Sequence, residues 1–180
     1  GVWKPRTRPD SFEGVGKDGL IWLREIKTAL SIPVAVEVAN ASHVNDALKF
    51  GVDVLWIGAR TSANPFAMQE IADSLAGVDT VVLIKNPMSP DLQLWTGAIE
   101  RVMRAGVWQV AAIHRGFYTF GKSTYRNPPL WQIPIDLKKR FSDLPLICDP
   151  SHMGGSSSFL KELSQKAMDL NYDGLMIESH

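Results

Sequence analysis

Six short runs rich in β-branched residues recur along the chain, separated by stretches whose apolar residues fall at three- and four-residue spacing. No other feature restricts the fold so strongly. The runs are IPVAVEV (32–38), DVLWIGA (53–59), TVVLIKN (80–86), QVAAIHR (109–115), LPLICDP (144–150) and DGLMIES (173–179), each predicted as a strand. Around them lie KDGLIWLREIKTAL, SHVNDALKFG, NPFAMQEIADSLAG, SPDLQLWTGAIERVMRAG, PIDLKKRF and SSFLKELSQKAMDLN, which the spacing predicts as helices. Ser42, Asn64 and Ser89 stand where N-caps are needed, Pro65 and Pro90 suit the first helical position, and Gly51, Gly77 and Gly106 close the opposite ends. The strands are apolar on both faces, as parallel strands covered by helices are. A βα repeat with no dividing linker follows, predicted as a single domain over residues 1–180.

The balance of charge narrows the partners. Lys plus Arg and Asp plus Glu both number 19, so no bulk field favours nucleic acid or a membrane surface, and a small-molecule ligand is expected. A single cysteine permits no internal disulfide, and no apolar run reaches the roughly 18 residues of a membrane span. A cytoplasmic setting fits. The chain opens on Gly1-Val2-Trp3 rather than Met, and is expected to start within a longer protein. The one long connection, 117–132, is aromatic, basic and Pro-rich, which suggests a functional loop.

Every predicted strand ends in polar residues: Glu37, Arg60, Lys85, His114-Arg115, Asp149 with His152, and Glu178 with His180. In parallel α/β architectures these ends face one side, so the groups should converge on a single mouth. Lys85, Arg60 and Arg115, joined by Lys4 and Arg6, form a cationic cluster suited to phosphate or carboxylate. His152 and Glu178 pair a neutral nitrogen with a hard oxygen, a mixture that suits a divalent transition metal. Two ligands are fewer than a catalytic site takes. Cys148 is better assigned to the core than to a metal, and His43, at a helix start, to a structural or solvated role.

The motifs KPRTRPDSFEG, WIGAR, IKN, HRGF, DPSH and GLMIESH occur in an order and spacing that resemble the short, type I 3-deoxy-D-arabino-heptulosonate 7-phosphate (DAHP) synthases. The chain resembles the form found in Bacteroidetes-type enzymes that carry a fused chorismate mutase domain elsewhere. KPRT with GAR favours this family over the related 3-deoxy-manno-octulosonate 8-phosphate synthases, which share the barrel and the enolpyruvate donor. The resemblance implies a (β/α)8 TIM-barrel fold, with aldol-type condensation of phosphoenolpyruvate and erythrose 4-phosphate to DAHP plus phosphate, the first step of the shikimate pathway. It also implies the site. Arg60, Lys85 and Arg115 would hold the enolpyruvate phosphate and carboxylate; Arg6 and Thr7 would meet the erythrose phosphate, with Lys4 between the two substrates. His152 and Glu178 would hold a divalent metal (Mn, Fe, Co or Zn), Asp149 would orient Lys4 or the sugar hydroxyls, and Glu37 would sit near the attacking water. His114 and Arg126 are expected as neighbours of the site and His180 as a support to the metal ligands. A homo-oligomer and a chorismate mutase domain outside this chain are the expected protein partners.

The family pattern also includes a first strand ending in an AGPCS-like motif whose cysteine binds metal, an arginine from a second strand, and an aspartate ligand beyond the IESH strand. These motifs do not occur in the sequence, which offers about six strands where a barrel of roughly 250 residues has eight. The expectation is a partial barrel, impaired as a catalyst unless another segment supplies the rest. An octulosonate-type enzyme and a non-catalytic phosphate-binding or assembly module are the alternatives.

Overall fold

The structure, a computed structural model, describes every residue except Pro5, Thr7 and His180. It runs α1 (Lys17–Leu30), β1 (Ala35–Val38), α2 (Ala41–Lys49), β2 (Val54–Ile57), α3 (Ala59–Ser62), α4 (Pro65–Ser74), β3 (Val81–Lys85), α5 (Leu92–Arg104), β4 (Val110–His114), α6 (Gln132–Arg140), β5 (Leu146–Cys148), α7 (Pro150–Gly154), α8 (Leu160–Asp169) and β6 (Gly174–Leu175). The six strands form one sheet in chain order, every neighbouring pair parallel. This is the α/β arrangement predicted, with β1 and β6 as the sheet's edges. Among the described residues no helix is long and apolar enough to cross a membrane.

All six predicted strands form, each shorter than its apolar run, and the last keeps only two residues. Two caps move. Helix α2 is capped by Asn40, whose side chain accepts the His43 N–H at 2.9 Å, not by Ser42. Helix α5 is capped by Asp91, which accepts the Leu94 N–H at 2.9 Å, so Ser89 and Pro90 precede the cap. Asn64 caps α4 with Pro65 behind it, as predicted, and Gly51, Gly77 and Gly106 all take positive φ after their helices. The short α3 and α7 were not expected; both form where a strand tip turns, which places Arg60 in a helical turn and not at the strand end.

The two faces of the sheet differ, contrary to the expectation that both are covered by helices. Val36, Val38, Leu55, Ile57, Val82, Ile84, Ala112, Leu146 and Cys148 lie in one core with Leu20, Val44, Met68, Ile71, Trp95, Ile99, Val102, Leu137 and Leu163 of the helices. Because side chains alternate along a strand, Glu37, Trp56, Leu83 and Lys85 share the opposite face. There Glu37, Trp56 and Leu83 are only partly buried. Burying one face in apolar packing therefore leaves the other free for polar groups.

Candidate active site

The same alternation decides which strand-end residues meet. His114 has the parity of Ala112 and points its side chain into the helix-covered core, neighbouring the site through its backbone carbonyl, which accepts the Asp149 N–H at 2.8 Å. It is fully buried and ringed by Trp95, Phe117, Trp131 and Tyr172. Its Nε2–H donates to the Pro129 carbonyl at 2.6 Å, which leaves Nδ1 to accept the Tyr172 hydroxyl at 2.8 Å. Burial pushes its pKa down to about 3, so the ring stays neutral. Arg115, one residue on, turns to the other face.

Asp149 shows why an apolar strand should end in a carboxylate. It caps α7, accepting the His152 N–H at 3.0 Å with Pro150 at the first helical position. The same carboxylate takes the Lys85 ammonium at 2.8 Å, the two side chains being 1% and 5% exposed. His152 Nδ1 lies 2.9 Å from its Oδ2. Burial would raise the Asp149 pKa, but the His152 hydrogen bond and the Lys85 charge outweigh it and hold the pKa down to about 2. Asp149 thus bonds Lys85 and His152 rather than Lys4. On the other side of the ring, His152 Nε2 lies 3.9 Å from Glu178 Oε1. The Glu178 backbone N–H donates to Ser151 Oγ at 2.9 Å, fixing the strand-six tip against α7.

Cations surround the neighbouring carboxylate. Glu37 feels Lys85, Lys4, Arg60 and Arg6, yet burial dominates and raises its pKa to about 7. Gly58 leaves it room, since a Cβ there would collide with Glu37 Oε1. Arg115 is 7% exposed; burial lowers its pKa to about 10, opposed by Asp149 and reinforced by Arg126 and Arg60. Lys4, Arg6, Glu37, Arg60, Lys85, Arg115, Asp149, His152 and Glu178 therefore gather at one mouth, with Arg126 beside them. Thr7 and His180 fall outside the described residues.

Other assignments also resolve. Cys148 is buried, with its thiol pushed up to about 12 by burial, which is core behaviour. His43 is structural, its ring stacked on Trp3 with centroids 4.1 Å apart. Three residues were overlooked. Lys85 Nζ lies 4.5 Å from the centroid of the Trp56 ring. Asn86, fully buried, accepts the Arg115 N–H at 2.7 Å and donates to the Gly116 carbonyl at 2.8 Å. Asn127 ties the long loop to α7 by donating to the His152 carbonyl at 2.6 Å. The IKN motif contained Asn86, but nothing in single-sequence spacing distinguishes these clamps from loop residues.

The residues present fit part of a metal site. Two donors on one ion, at about 2.0–2.2 Å each, sit no more than about 4.4 Å apart, which the His152–Glu178 separation of 3.9 Å satisfies. Asp149 behind His152 Nδ1 supplies the carboxylate support that metal-binding histidines use. Among the described residues, no group of three or more His, Cys, Asp or Glu is gathered for a metal.

Fold and site together define a parallel α/β protein of the barrel class whose strand-end mouth is dominated by cations. The profile of the DAHP synthetase I family matches residues 1–180, and the chain belongs to that family. It is 31% identical to the phospho-2-dehydro-3-deoxyheptonate aldolase of Thermotoga maritima over 180 residues, all of this chain and 51% of that protein. The 2-dehydro-3-deoxyphosphooctonate aldolase of Desulfotalea psychrophila is 29% identical over 188 residues, 97% of this chain and 63% of that one. The crystal structure of the Thermotoga maritima DAHP synthase superposes with a TM-score of 0.82 at 26% identity, covering 98% of this chain and 48% of that one. A truncated form of the same organism's synthase gives 0.81 at 26% identity, over 100% and 63%. The chain thus spans about half the length of the first of these relatives.

Proposed function

We propose that this chain forms the phosphoenolpyruvate-binding part of a DAHP synthase, which condenses phosphoenolpyruvate with erythrose 4-phosphate. The observation that carries this is the gathering of Lys85, Arg115, Arg60 and Glu37 around one mouth beside the Asp149–His152 pair. Arg60, Lys85 and Arg115 bind the phosphate and carboxylate of the enolpyruvate, offsetting their charge and fixing C3 towards the aldehyde. Lys4 lies between the two substrates, and Arg6 and Thr7 take the erythrose phosphate. Asp149 keeps Lys85 and His152 in place. C3 bonds to the aldehyde carbon, water adds at C2, and phosphate leaves with C–O cleavage. Glu37, with a pKa near 7, is suited to take the proton of that water at neutral pH.

His152 and Glu178 are the residues that would hold a divalent metal, whether Mn, Fe, Co or Zn. When bound, such an ion supplies Lewis-acid polarisation of the aldehyde oxygen. Residues 1–180 are read as one partial barrel domain, working as a homo-oligomer in the cytoplasm, with a chorismate mutase domain outside the chain. A second reading, anion binding without turnover, is favoured by the two-donor metal set among the described residues. Two measurements on the purified chain separate the readings. Calorimetric binding of phosphoenolpyruvate with metal-dependent loss of its absorbance near 232 nm, on adding erythrose 4-phosphate, supports a synthase. Binding without that loss supports the anion-binding module, and no binding sinks both.

A further inference from the structure

Lys85 is nearly withdrawn from water, at 4% exposure, and Asp149, its one ion-pair partner among the described residues, is already heavily used. Asp149 serves the Lys85 ammonium, the His152 backbone and the His152 ring at once. Glu37 already lies within electrostatic reach of Lys85, and a second carboxylate bonded directly to the ammonium would steady it but also repel an arriving anion. An aromatic face attracts the cation while carrying no net charge. Trp56 supplies that face, with Lys85 Nζ 4.5 Å from its ring centroid. The sheet register holds it there: Trp56 pairs with Glu37 on one side and with Leu83 on the other, and Lys85 follows two residues later on the same face. We propose that Trp56 is a positioning residue of the site, whose ring holds the Lys85 ammonium where a substrate phosphate or carboxylate meets it without adding a competing anion. The inference rests on the phosphoenolpyruvate reading of the mouth.

The test uses tryptophan analogues with increasing ring fluorination, incorporated into the native chain and into a Trp56→Phe variant. Fluorine drains the ring face of negative potential with little change in size, so packing alone predicts a flat response. The readout is phosphoenolpyruvate affinity by calorimetry. In the native chain affinity should fall progressively, by roughly 3- to 30-fold across the series. Trp56→Phe, retaining a weaker ring, should bind at an intermediate level and ignore fluorination of the remaining tryptophans. A flat native series, or a Trp56→Phe variant that responds as the native chain does, overturns the proposal. Absence of phosphoenolpyruvate binding by the unfluorinated native chain overturns the functional reading and this inference together, an outcome distinct from native binding with a flat series.

Discussion

Lys85 and Asp149 cannot be altered singly without stranding a charge. Replacing Lys85 by Met leaves the buried Asp149 carboxylate without its bonded ammonium, and should cost about 3–5 kcal/mol of stability. Denaturant unfolding would measure it, and Lys85→Met combined with Asp149→Leu should recover the share due to the stranded charge but not the α7 cap, while on the proposed function phosphoenolpyruvate affinity stays lost. Glu37 makes the opposite kind of prediction. Its folded-state pKa lies above the ordinary 4.5, so its contribution is fully present below about pH 4.5 and drains away as the pH rises through about 7. Glu37→Gln should flatten that part of a stability–pH profile, measured by urea titration. At this scale the sequence displayed the participants but not their pairing. Strand-end parity brought Glu37, Lys85 and Arg115 to one face, whereas the His114 side chain follows the other parity into the core. The choice between adjacent residues in HRGF depends on exact strand phase, which an apolar run does not reveal.

Among the elements, the strands were legible because apolar β-branched runs leave few alternatives, and α1 and α4 because their patterns are long or well capped. The caps of α2 and α5 slipped by two residues because Asn40 and Asp91 compete with Ser42 and Ser89, and the side chain that reaches an N–H two or three residues ahead wins. The α7 turn was not predicted, since Asp-Pro-Ser-His is equally good turn chemistry. Its attachment to the long loop was invisible, being a contact between residues 25 positions apart. That attachment is testable. Asn127→Ala should leave the part-buried His152 carbonyl without this donor and cost about 1 kcal/mol. Faster hydrogen exchange confined to the backbone amides of 125–127 and α7, with the remainder of the sheet still protected, would verify that the cost is local.

For the whole molecule, one helix-covered face holds the fold together and the other carries the charged strand-end residues. His114 lies on the first, so its titration belongs to global stability. Its folded-state pKa is depressed, and the neutral ring therefore contributes stability above about pH 6.5 that is lost as the pH falls towards about 3. Unfolding free energy should decline steeply through that window, and His114→Phe should make the decline shallower despite a lower starting value, since Tyr172 and Pro129 lose a partner. Overall topology was legible from the βα alternation, and the unequal covering of the faces was not. The Lys85–Asp149 bond joins positions 64 apart in the chain, across β3 and β5 with β4 between them. During synthesis, a nascent chain released only as far as β4 holds its lysine without its carboxylate. The Lys85–Asp149 pair therefore cannot mature before the fifth strand docks, and, on the proposed function, capture of a phosphorylated ligand should report that docking on a refolding time course.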